Sequence, residues 1–166
     1  MSELAPLASR PRMFGREPAG PSLPWSWADE QLRGARDYWV TTTGRSGRPH
    51  ARPFWGLWSG TSFQFSTSSR TLANIRTNPQ ATVHLESGRD VVIVDGDASI
   101  ILQPVRLQDF VTAYNAKYGG CLEVRGQEVG DDTHGNGGVV VVQAAVIYGW
   151  QQSVETATKW DLTAPA

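Results

Sequence analysis

Alternation of apolar and polar residues marks the first half of the chain as a set of short strands. Residues 38–43 are aromatic or β-branched, and residues 50–58 resume that character after a turn at Gly44-Arg45-Ser46-Gly47. Residues 62–67 then alternate strictly between apolar and polar side chains. Aromatic and β-branched residues bounded by Gly and Ser turns favour pleated, half-buried strands. The order predicts an antiparallel meander.

Three further strands are predicted in the second half. Residues 81–86 and 90–101 flank a turn at Ser87-Gly88-Arg89, and residues 139–150 form a valine-rich apolar run. Six strands without a repeating strand–helix–strand order predict a mainly β protein, a closed or nearly closed six-stranded antiparallel barrel. Side chains fill the interior of so small a barrel, so we expect any ligand on its outside or at a subunit interface.

Short helices are predicted between the strands. Ser26 followed by acidic residues resembles a helix-capping signal, and Pro104 suits the first turn of a helix. Apolar residues at helical spacing follow both signals and recur after Arg70. The predicted helices, which we expect to close the openings of the barrel, cover residues 27–35, 71–76 and 105–118.

Three segments lack periodicity. Residues 1–24 carry five prolines among Ala, Ser and Arg, and we expect a flexible arm that drapes over a neighbour. Residues 25–162 then form one domain. The Gly- and Asp-rich segment 119–138 is long enough to be functional, either as a lid over a site or as a disordered connection. A tail that ends near Trp160 follows the last predicted strand.

Composition narrows the classes of function. A chain of 166 residues with 15 basic and 16 acidic side chains has the size of one domain and a formal charge of -1. That charge excludes a strong field for nucleic acid or an anionic membrane. The single cysteine, Cys121, makes no internal disulfide. Without a membrane-length apolar run or a signal-peptide pattern, the sequence predicts a cytoplasmic protein.

The segment from Phe65 to Asn74 is the first candidate for chemistry. A strand end passes through four hydroxyl residues and Arg70 into a helix start. Free backbone N–H groups, hydroxyls and a guanidinium suit a phosphate, so an anion site is one hypothesis. The alternative is structural: Ser68 or Ser69 caps the helix, and Arg70 is a solvated surface residue.

The second candidate surrounds Pro53. Proline donates no ladder hydrogen bond, so it requires an edge or a bulge at this point of its strand. Backbone groups left free there can meet the edge of a planar heterocycle, with Trp55 or Trp58 beside it. The chain holds seven tryptophans. For each of them, packing in the core or at an interface is the alternative to a role in ligand binding.

Other residue types give weaker signals. His50, near the second candidate, can deliver a proton or serve structure alone, whereas we expect His84 in the core and His134 in solvent. The histidines and the cysteine lack metal-ligand spacing, so no metal site is predicted. Acidic residues form no recognisable acid/base pair. No catalytic residue can be named on this basis.

The ordered set of these motifs resembles the pyridoxamine 5'-phosphate oxidase-like split β-barrel superfamily. Within it, the chain is most similar to the actinobacterial flavin/deazaflavin oxidoreductases of the B group. The likeness covers roughly residues 25–162. Its motifs are Tyr38-Trp39-Val40-Thr41-Thr42, Gly47-Arg48-Pro49-His50-Ala51-Arg52-Pro53-Phe54-Trp55-Gly56, Phe65-Ser66-Thr67, Ser69-Arg70-x-x-x-Asn74-Ile75, Val83-His84-Leu85-Glu86, Val94-Asp95-Gly96-Asp97, Ala113-Tyr114-Asn115-Ala116-Lys117-Tyr118 and Thr156-Ala157-Thr158-Lys159-Trp160.

The resemblance implies a homodimer with two cofactor sites in grooves between the subunits, each holding FMN or the deazaflavin coenzyme F420. It places the cofactor phosphate on the strand-to-helix segment and the ring system beside the strand that contains Pro53. Thr71 stands where such proteins commonly have lysine, which removes a positive charge beside the phosphate. The implied cofactor-binding residues are Pro53, Phe54, Trp55, Ser66, Thr67, Ser69, Arg70 and Asn74, with Trp150, Lys159 and Trp160 reaching the partner's site.

The implied reaction is hydride transfer to a small conjugated or aromatic substrate by an F420- or FMN-dependent oxidoreductase. In such enzymes the cofactor carries the chemistry while the protein orients the substrate and excludes water. The alternative is a non-catalytic binding module on the same barrel, for flavin, haem or another planar ligand. The Ser-Arg-Asn set favours the enzyme, and Thr71 favours the binding module.

Overall fold

The computed structural model describes residues 6–163, and its centre is a closed antiparallel barrel. Six strands form the ring in the order β9-β4-β3-β2-β5-β6, and β6 closes it by pairing with β9. The prediction of a mainly β, six-stranded barrel is confirmed. The barrel strands are β2 (Asp37–Thr43), β3 (Pro49–Trp58), β4 (Ser62–Thr67), β5 (Gln80–His84), β6 (Asp90–Ile101) and β9 (Gly135–Gln151).

Alternating burial explains why these residues form a barrel. In β2 every second residue, from Tyr38 to Thr42, is buried, as expected for a strand with one face on a core. The inner faces meet in one cluster that includes Tyr38, Phe63 and Phe65, all fully buried. The interior is therefore packed with side chains and leaves ligand sites to the outside of the barrel.

β9 departs from this alternation because both of its faces are covered. Val140 and Val142 join the barrel core, whereas Val139 and Val141 join a second cluster with Leu107 and Phe110 of the last helix. Burial on both faces gives a continuous apolar run rather than an alternating one. The valine-rich stretch thus reflects a strand sandwiched between the barrel and a helix.

Three helices lie around the barrel: α1 (Trp25–Gly34), α2 (Arg70–Ile75) and α3 (Pro104–Tyr118). α1 and α2 bury side chains in the barrel core, as predicted. α3 covers an outer face instead, since its buried residues belong to the second cluster. Ser26 does not cap α1, which begins earlier with Pro24 at its N-cap and has no side-chain cap. No described helix is both long and apolar enough to cross a membrane.

The segments expected to lack regular structure contain four strands: β1 (Leu7–Ser9), β7 (Glu123–Arg125), β8 (Glu128–Asp131) and β10 (Ser153–Asp161). β10 replaces the expected tail and pairs with β9, and β1 pairs with β10. Residues 6–24 of the expected arm therefore lie on their own chain, while residues 1–5 lie outside the described residues. β7 and β8 form a hairpin, and β8 pairs with β9, so the 119–138 segment is folded.

Candidate functional site

A free strand edge is the first element of the candidate site. β3 pairs with β2 over Pro49–Trp55, but with β4 only over Gly56–Trp58. Pro53 lies in the part with one neighbour, which confirms the expected edge position. The strand rise puts Arg52 and Trp55 about 10 Å apart along this edge. Two cavities flank the segment between them.

The first cavity, here called the basic cavity, has a volume of about 640 Å³. Within the described residues, none of its four arginine side chains lies within 4.0 Å of a carboxylate oxygen. Unpaired guanidinium groups around one cavity attract an anion and bind phosphate through charge-assisted hydrogen bonds. The lining residues are Gly44, Arg45, Ser46, Arg48, Pro49, His50, Ala51, Arg52, Arg70 and Asn74.

His50 lies among these arginines. Its Nε2 atom is buried and has no hydrogen-bond partner within residues 6–163. Desolvation, together with the charges of Arg52 and Arg70, lowers the pKa of His50 below its ordinary value. The imidazole is therefore neutral at pH 7 and has a free ring nitrogen for a ligand.

The predicted hydroxyl cluster serves mainly to start α2. Ser69 accepts a hydrogen bond from the Thr71 backbone N–H at 3.3 Å, while Thr67 accepts one from the Ser69 N–H at 3.0 Å. The two hydroxyl groups also lie 2.8 Å apart and hydrogen-bond to each other. The capping alternative is thus confirmed for Ser69. Arg70, exposed in the next position, still faces the basic cavity.

Asn74 and Thr71 differ in what they offer a ligand. Asn74 is buried and donates from Nδ2 to Thr42 Oγ1 at 3.1 Å, so it joins α2 to β2 while lining the basic cavity. Thr71 is completely buried and lines neither cavity, and its Oγ1 has no partner within the described residues. A site on this chain must therefore draw positive charge from other positions.

The second cavity, here called the aromatic cavity, has a volume of about 460 Å³. It lies between β4, the end of α3 and the β7–β9 region, so the folded 119–138 segment forms much of its wall. Such a volume suits a small organic ligand. Its lining residues are Trp55, Ser66, Thr67, Ser68, Ser69, Tyr114, Gly120, Cys121, Leu122, Val129, Asp131, His134, Gly135, Asn136 and Gly137.

The orientation of Trp55 is fixed by contacts on several sides. Its ring stacks on Tyr118 with a centroid distance of 4.9 Å and an interplanar angle of 2°. The Arg36 guanidinium lies 4.8 Å from the Trp55 centroid, and Trp55 Nε1 donates to Asp37 Oδ1 at 3.0 Å. The indole nevertheless stays 43% exposed. An oriented, accessible ring of this kind can stack on a planar ligand.

The end of α3 holds this part of β3 in place. The Tyr118 hydroxyl donates to the Gly56 carbonyl at 2.8 Å and accepts from the Gly56 N–H at 2.9 Å. Lys117 Nζ donates to the same carbonyl at 3.0 Å and to Tyr38 Oη at 2.9 Å. Burial raises the pKa of Tyr118 to about 12 and, with the nearby Arg36 charge, lowers the pKa of Lys117. These bonds position the strand edge directly after Trp55.

Asp131 and His134 form an ion pair at the rim of the aromatic cavity. His134 Nδ1 lies 3.0 Å from Asp131 Oδ2, and the Asp131 carboxylate also accepts the backbone N–H groups of Thr133 and His134. These hydrogen bonds hold the pKa of Asp131 below its ordinary value. The His134 side chain is 80% exposed, which confirms the expectation of a solvent-facing imidazole.

Several predicted site residues lie away from both cavities. Phe54 packs against Phe65 at the core with a centroid distance of 4.6 Å. Trp150 pairs with Val91 across β9 and β6, and Lys159 lies in β10 with its Nζ 3.9 Å from Asp161 Oδ2. Of Trp55, Trp150 and Trp160, only Trp55 lines either of these two cavities.

The positions of Trp160 and His84 in the structure differ from those expected. Trp160 is fully buried and packs edge-on against Trp25 at 5.8 Å. A residue so buried belongs to the core, so the expectation that it reaches a cofactor is wrong. His84 is half-buried and stacks beside Trp39 at 6.4 Å rather than lying in the core. Among the described residues, no group of three or more His, Cys, Asp or Glu side chains is placed to hold a metal ion.

Sequence reasoning missed other residues of the two cavities. Arg45, Arg48 and Arg52 converge because a hairpin turn connects β2 to β3, and their close spacing around that turn was the available signal. Nothing local indicated that Tyr114 and the Asp131–His134 pair meet Trp55. Their approach depends on the β7–β8 hairpin and on the docking of α3.

Comparison with known proteins places this geometry in a family. The family model for pyridoxamine 5'-phosphate oxidase matches residues 28–151. No curated protein matches at a significant level. The likenesses to the solved structures described next, each below 25% identity, show the shared fold.

Three solved structures illustrate that likeness. An F420 reductase is 18% identical with a TM-score of 0.54, covering 71% of this chain and 94% of its own. A conserved hypothetical protein from Mycobacterium tuberculosis is 19% identical with a TM-score of 0.66, covering 89% and 92%. The haem storage protein HutZ from Vibrio cholerae is 14% identical with a TM-score of 0.53, covering 70% and 84%. With the family match spanning most of the barrel, the chain belongs to the pyridoxamine 5'-phosphate oxidase family.

Proposed function

We propose that this protein is an oxidoreductase that uses F420 or FMN for hydride transfer to a small conjugated or aromatic substrate. One observation carries the proposal: a cavity with four arginines that have no carboxylate partner within residues 6–163 and a cavity walled by Trp55 flank the same free edge of β3. An elongated ligand with an anionic tail and a planar ring matches that arrangement. The F420 reductase of the same fold supports it.

The residues present fit such a cofactor. The arginines of the basic cavity would hold the phosphate-bearing tail, and they compensate for the lysine that Thr71 replaces. His50 Nε2, which is buried and has no hydrogen-bond partner among the described residues, offers a further polar contact. The edge at Pro53 would border the ring system, and Trp55 would limit where the ring and substrate lie. When bound, the cofactor supplies the hydride.

The number of positive charges favours the more anionic cofactor. FMN has a single phosphate, whereas F420 has a phosphodiester followed by a chain of carboxylates. Four arginines in one cavity exceed the need of one phosphate, and all four lack carboxylate partners among the described residues. We therefore propose tighter binding of F420 than of FMN. The affinity is expected to fall as salt rises, because the arginines are accessible to counterions.

The test is to titrate the purified chain with F420 and with FMN and to measure each dissociation constant from the change in fluorescence. Replacing Arg52 or Arg70 with Ala removes charge-assisted hydrogen bonds and is expected to weaken binding roughly 10- to 100-fold each. Arg106→Ala, at an exposed position on α3 outside both cavities, is the matched control. Unchanged dissociation constants in the Arg52 and Arg70 variants would refute the cofactor role of the basic cavity.

We further propose that the active form is a homodimer with the cofactor sites at its interface. The half-buried Trp39–His84 stack on the outside of the barrel supports this, since exposed aromatic pairs are common at interfaces. Trp150 and Lys159 would then approach the partner's site. Sedimentation velocity tests the dimer, and a monomer at micromolar concentration would contradict it. The cytoplasmic location stays a prediction that cell fractionation tests. The absence of nucleic-acid and membrane partners stays a prediction that binding assays test.

A non-catalytic binding module for flavin, haem or another planar ligand is the second candidate. The buried Thr71 at the usual lysine position and the fold shared with a haem storage protein favour it. The two candidates differ in turnover. Binding of F420, FMN or haem without hydride transfer to any conjugated acceptor would support the module, and sustained oxidation of the reduced cofactor would exclude it.

A further inference from the structure

The segment 119–138 forms a folded wall rather than a loose connection. β8 pairs with both β7 and β9. A Cβ added to Gly137 would lie 2.8 Å from the Thr67 backbone carbon, so this segment packs tightly on the end of β4. Side chains carried by it therefore lie beside Ser66–Ser69 and Trp55.

Asp131 orients the imidazole of His134 within that wall. The Asp131 side chain is only 12% exposed and accepts N–H groups from Thr133 at 2.8 Å and His134 at 2.6 Å. Its two carboxylate oxygens lie 3.0 and 3.1 Å from His134 Nδ1. A carboxylate at Nδ1 fixes the orientation of the ring and leaves the Nε2–H group for another partner. His134 also lines the aromatic cavity, so that group is available to a ligand there.

The opposite wall of the aromatic cavity suits a flat, conjugated molecule. Trp55 presents an oriented indole, and Tyr114 lines the same space. Burial and the nearby Asp131 charge raise the pKa of Tyr114, so its phenol stays neutral. The other titratable group that lines the cavity is Cys121, at the end of α3. Besides the Arg36 guanidinium, which lies 4.8 Å from the Trp55 centroid, a ligand stacked near Trp55 thus faces the imidazole of His134, which lines the cavity.

We infer that the aromatic cavity is the substrate site of the proposed oxidoreductase and that His134, positioned by Asp131, donates the proton that completes the reduction. This inference rests on the proposed function. For an α,β-unsaturated ketone, a hydride from the reduced cofactor forms a C–H bond at the β-carbon, and the alkene π pair shifts to form an enolate. The His134 Nε2–H bond then breaks and its proton goes to the enolate. The cofactor is oxidised, the substrate is reduced and His134 becomes neutral.

His50, the histidine singled out by the sequence, is a poorer proton donor. It lies among arginines in the basic cavity, and desolvation with the charges of Arg52 and Arg70 lowers its pKa. His134 faces a carboxylate instead of cations. His50 would therefore contact the anionic tail of the cofactor, and His134 would contact the substrate.

The test compares the wild type with His134→Gln and Asp131→Asn, using 2-cyclohexen-1-one as the probe and reduced F420 or FMN as the hydride donor. Asp132→Asn is the matched control, because Asp132 is exposed, follows Asp131 and lines neither cavity. Loss of a general acid is expected to lower kcat roughly 10²- to 10⁴-fold in His134→Gln. We expect KM and the cofactor dissociation constant to change by less than about threefold, because other residues provide binding. Asp131→Asn is expected to lower kcat less, since it removes only the orienting charge.

Readouts that do not need turnover come from NMR. In the cofactor-free protein, the probe is expected to shift the His134 Cε1–H and Trp55 Nε1–H signals, and Asp131→Asn is expected to move the His134 Cε1–H signal because it changes the group that contacts Nδ1. A probe that shifts neither signal overturns the substrate site. If the wild type turns over the probe and His134→Gln does so at the same rate, the role of His134 is overturned while the proposed function stays intact. Probe binding without turnover by the wild type overturns the proposed function, and proton donation with it.

Discussion

Replacing Gly56 with alanine tests how tightly the strand edge of the candidate site is held. Gly56 is the residue at which β3 begins to pair with β4, directly after Trp55. An added Cβ would lie 2.5 Å from both the Gln64 carbonyl oxygen and Phe63 Cε2. Ordinary contacts need about 1 Å more, and neither neighbour yields easily because one is backbone and the other is a fully buried ring.

The expected cost follows from these contacts. Overpacking of a core typically costs about 1–3 kcal/mol, and two rigid neighbours put this site in the upper part of that range. The reduced freedom of the unfolded chain returns about 0.4–1 kcal/mol. Displacement of the Gly56 carbonyl also strains its bonds from Tyr118 and Lys117. We expect a net loss of about 2–3 kcal/mol in the free energy of unfolding.

Urea and thermal denaturation measure this loss. For a chain of this size, the expected change lowers Tm by roughly 4–12 °C. Gly88→Ala is the matched control, because Gly88 lies in an exposed turn with no atom within 4 Å of an added Cβ. Its free energy of unfolding is expected to change by less than about 0.5 kcal/mol. A Gly56→Ala protein as stable as the control would refute the claim that close packing fixes this edge.

Three further predictions follow from individual contacts. Because burial raises the pKa of Tyr118 to about 12, the contribution of its protonated phenol to stability is complete below pH 10 and is lost between pH 10 and 12. In alkaline unfolding experiments, the stability of Tyr118→Phe is expected to depend less on pH over this range than the stability of the wild type. Arg16 and the Ala19 N–H lower the pKa of Glu155, so their contact is kept above about pH 4.5 and lost as pH falls. Glu155→Gln is expected to speed proteolysis within residues 6–24 while leaving the free energy of unfolding nearly unchanged, because the ion pair is exposed to solvent; an unchanged cleavage rate would contradict this. Trp160→Phe is expected to lower Tm without altering the F420 dissociation constant, and a weakened affinity in titration would return Trp160 to the cofactor site.

Strand patterning predicted the barrel because the alternation of buried and exposed side chains is visible in the local sequence of each strand. The alternation in β2 and β4, and the edge position of Pro53, follow from residues that need one buried face or lack an N–H group. β10 was missed because most of its residues between Ser153 and Lys159 are polar. It is a strand because β9 provides its hydrogen-bonding partners. β7 and β8, only three and four residues long, carry too little pattern to predict.

The candidate site was predictable only where neighbouring residues build it. Ser66, Thr67, Ser69 and Arg70 lie together because they fall within five consecutive positions of the chain. Even so, the structure divides them between two cavities, with Arg70 in one and the hydroxyls in the other. The sequence could not exclude Trp160, since core and ligand-binding tryptophans have the same local surroundings.

The sequence by itself determined the class of fold, the free edge at Pro53 and the family resemblance, because each depends on residue type and short-range order. Tertiary structure alone decided that Arg70 joins the arginines of the β2–β3 hairpin around His50, and which aromatic ring lines a cavity with His134. The packing of α2 on β2 and the docking of α3 on β3 bring these partners together. Side chains distant in the chain meet only when the core packs, so the site's chemistry depends on packing.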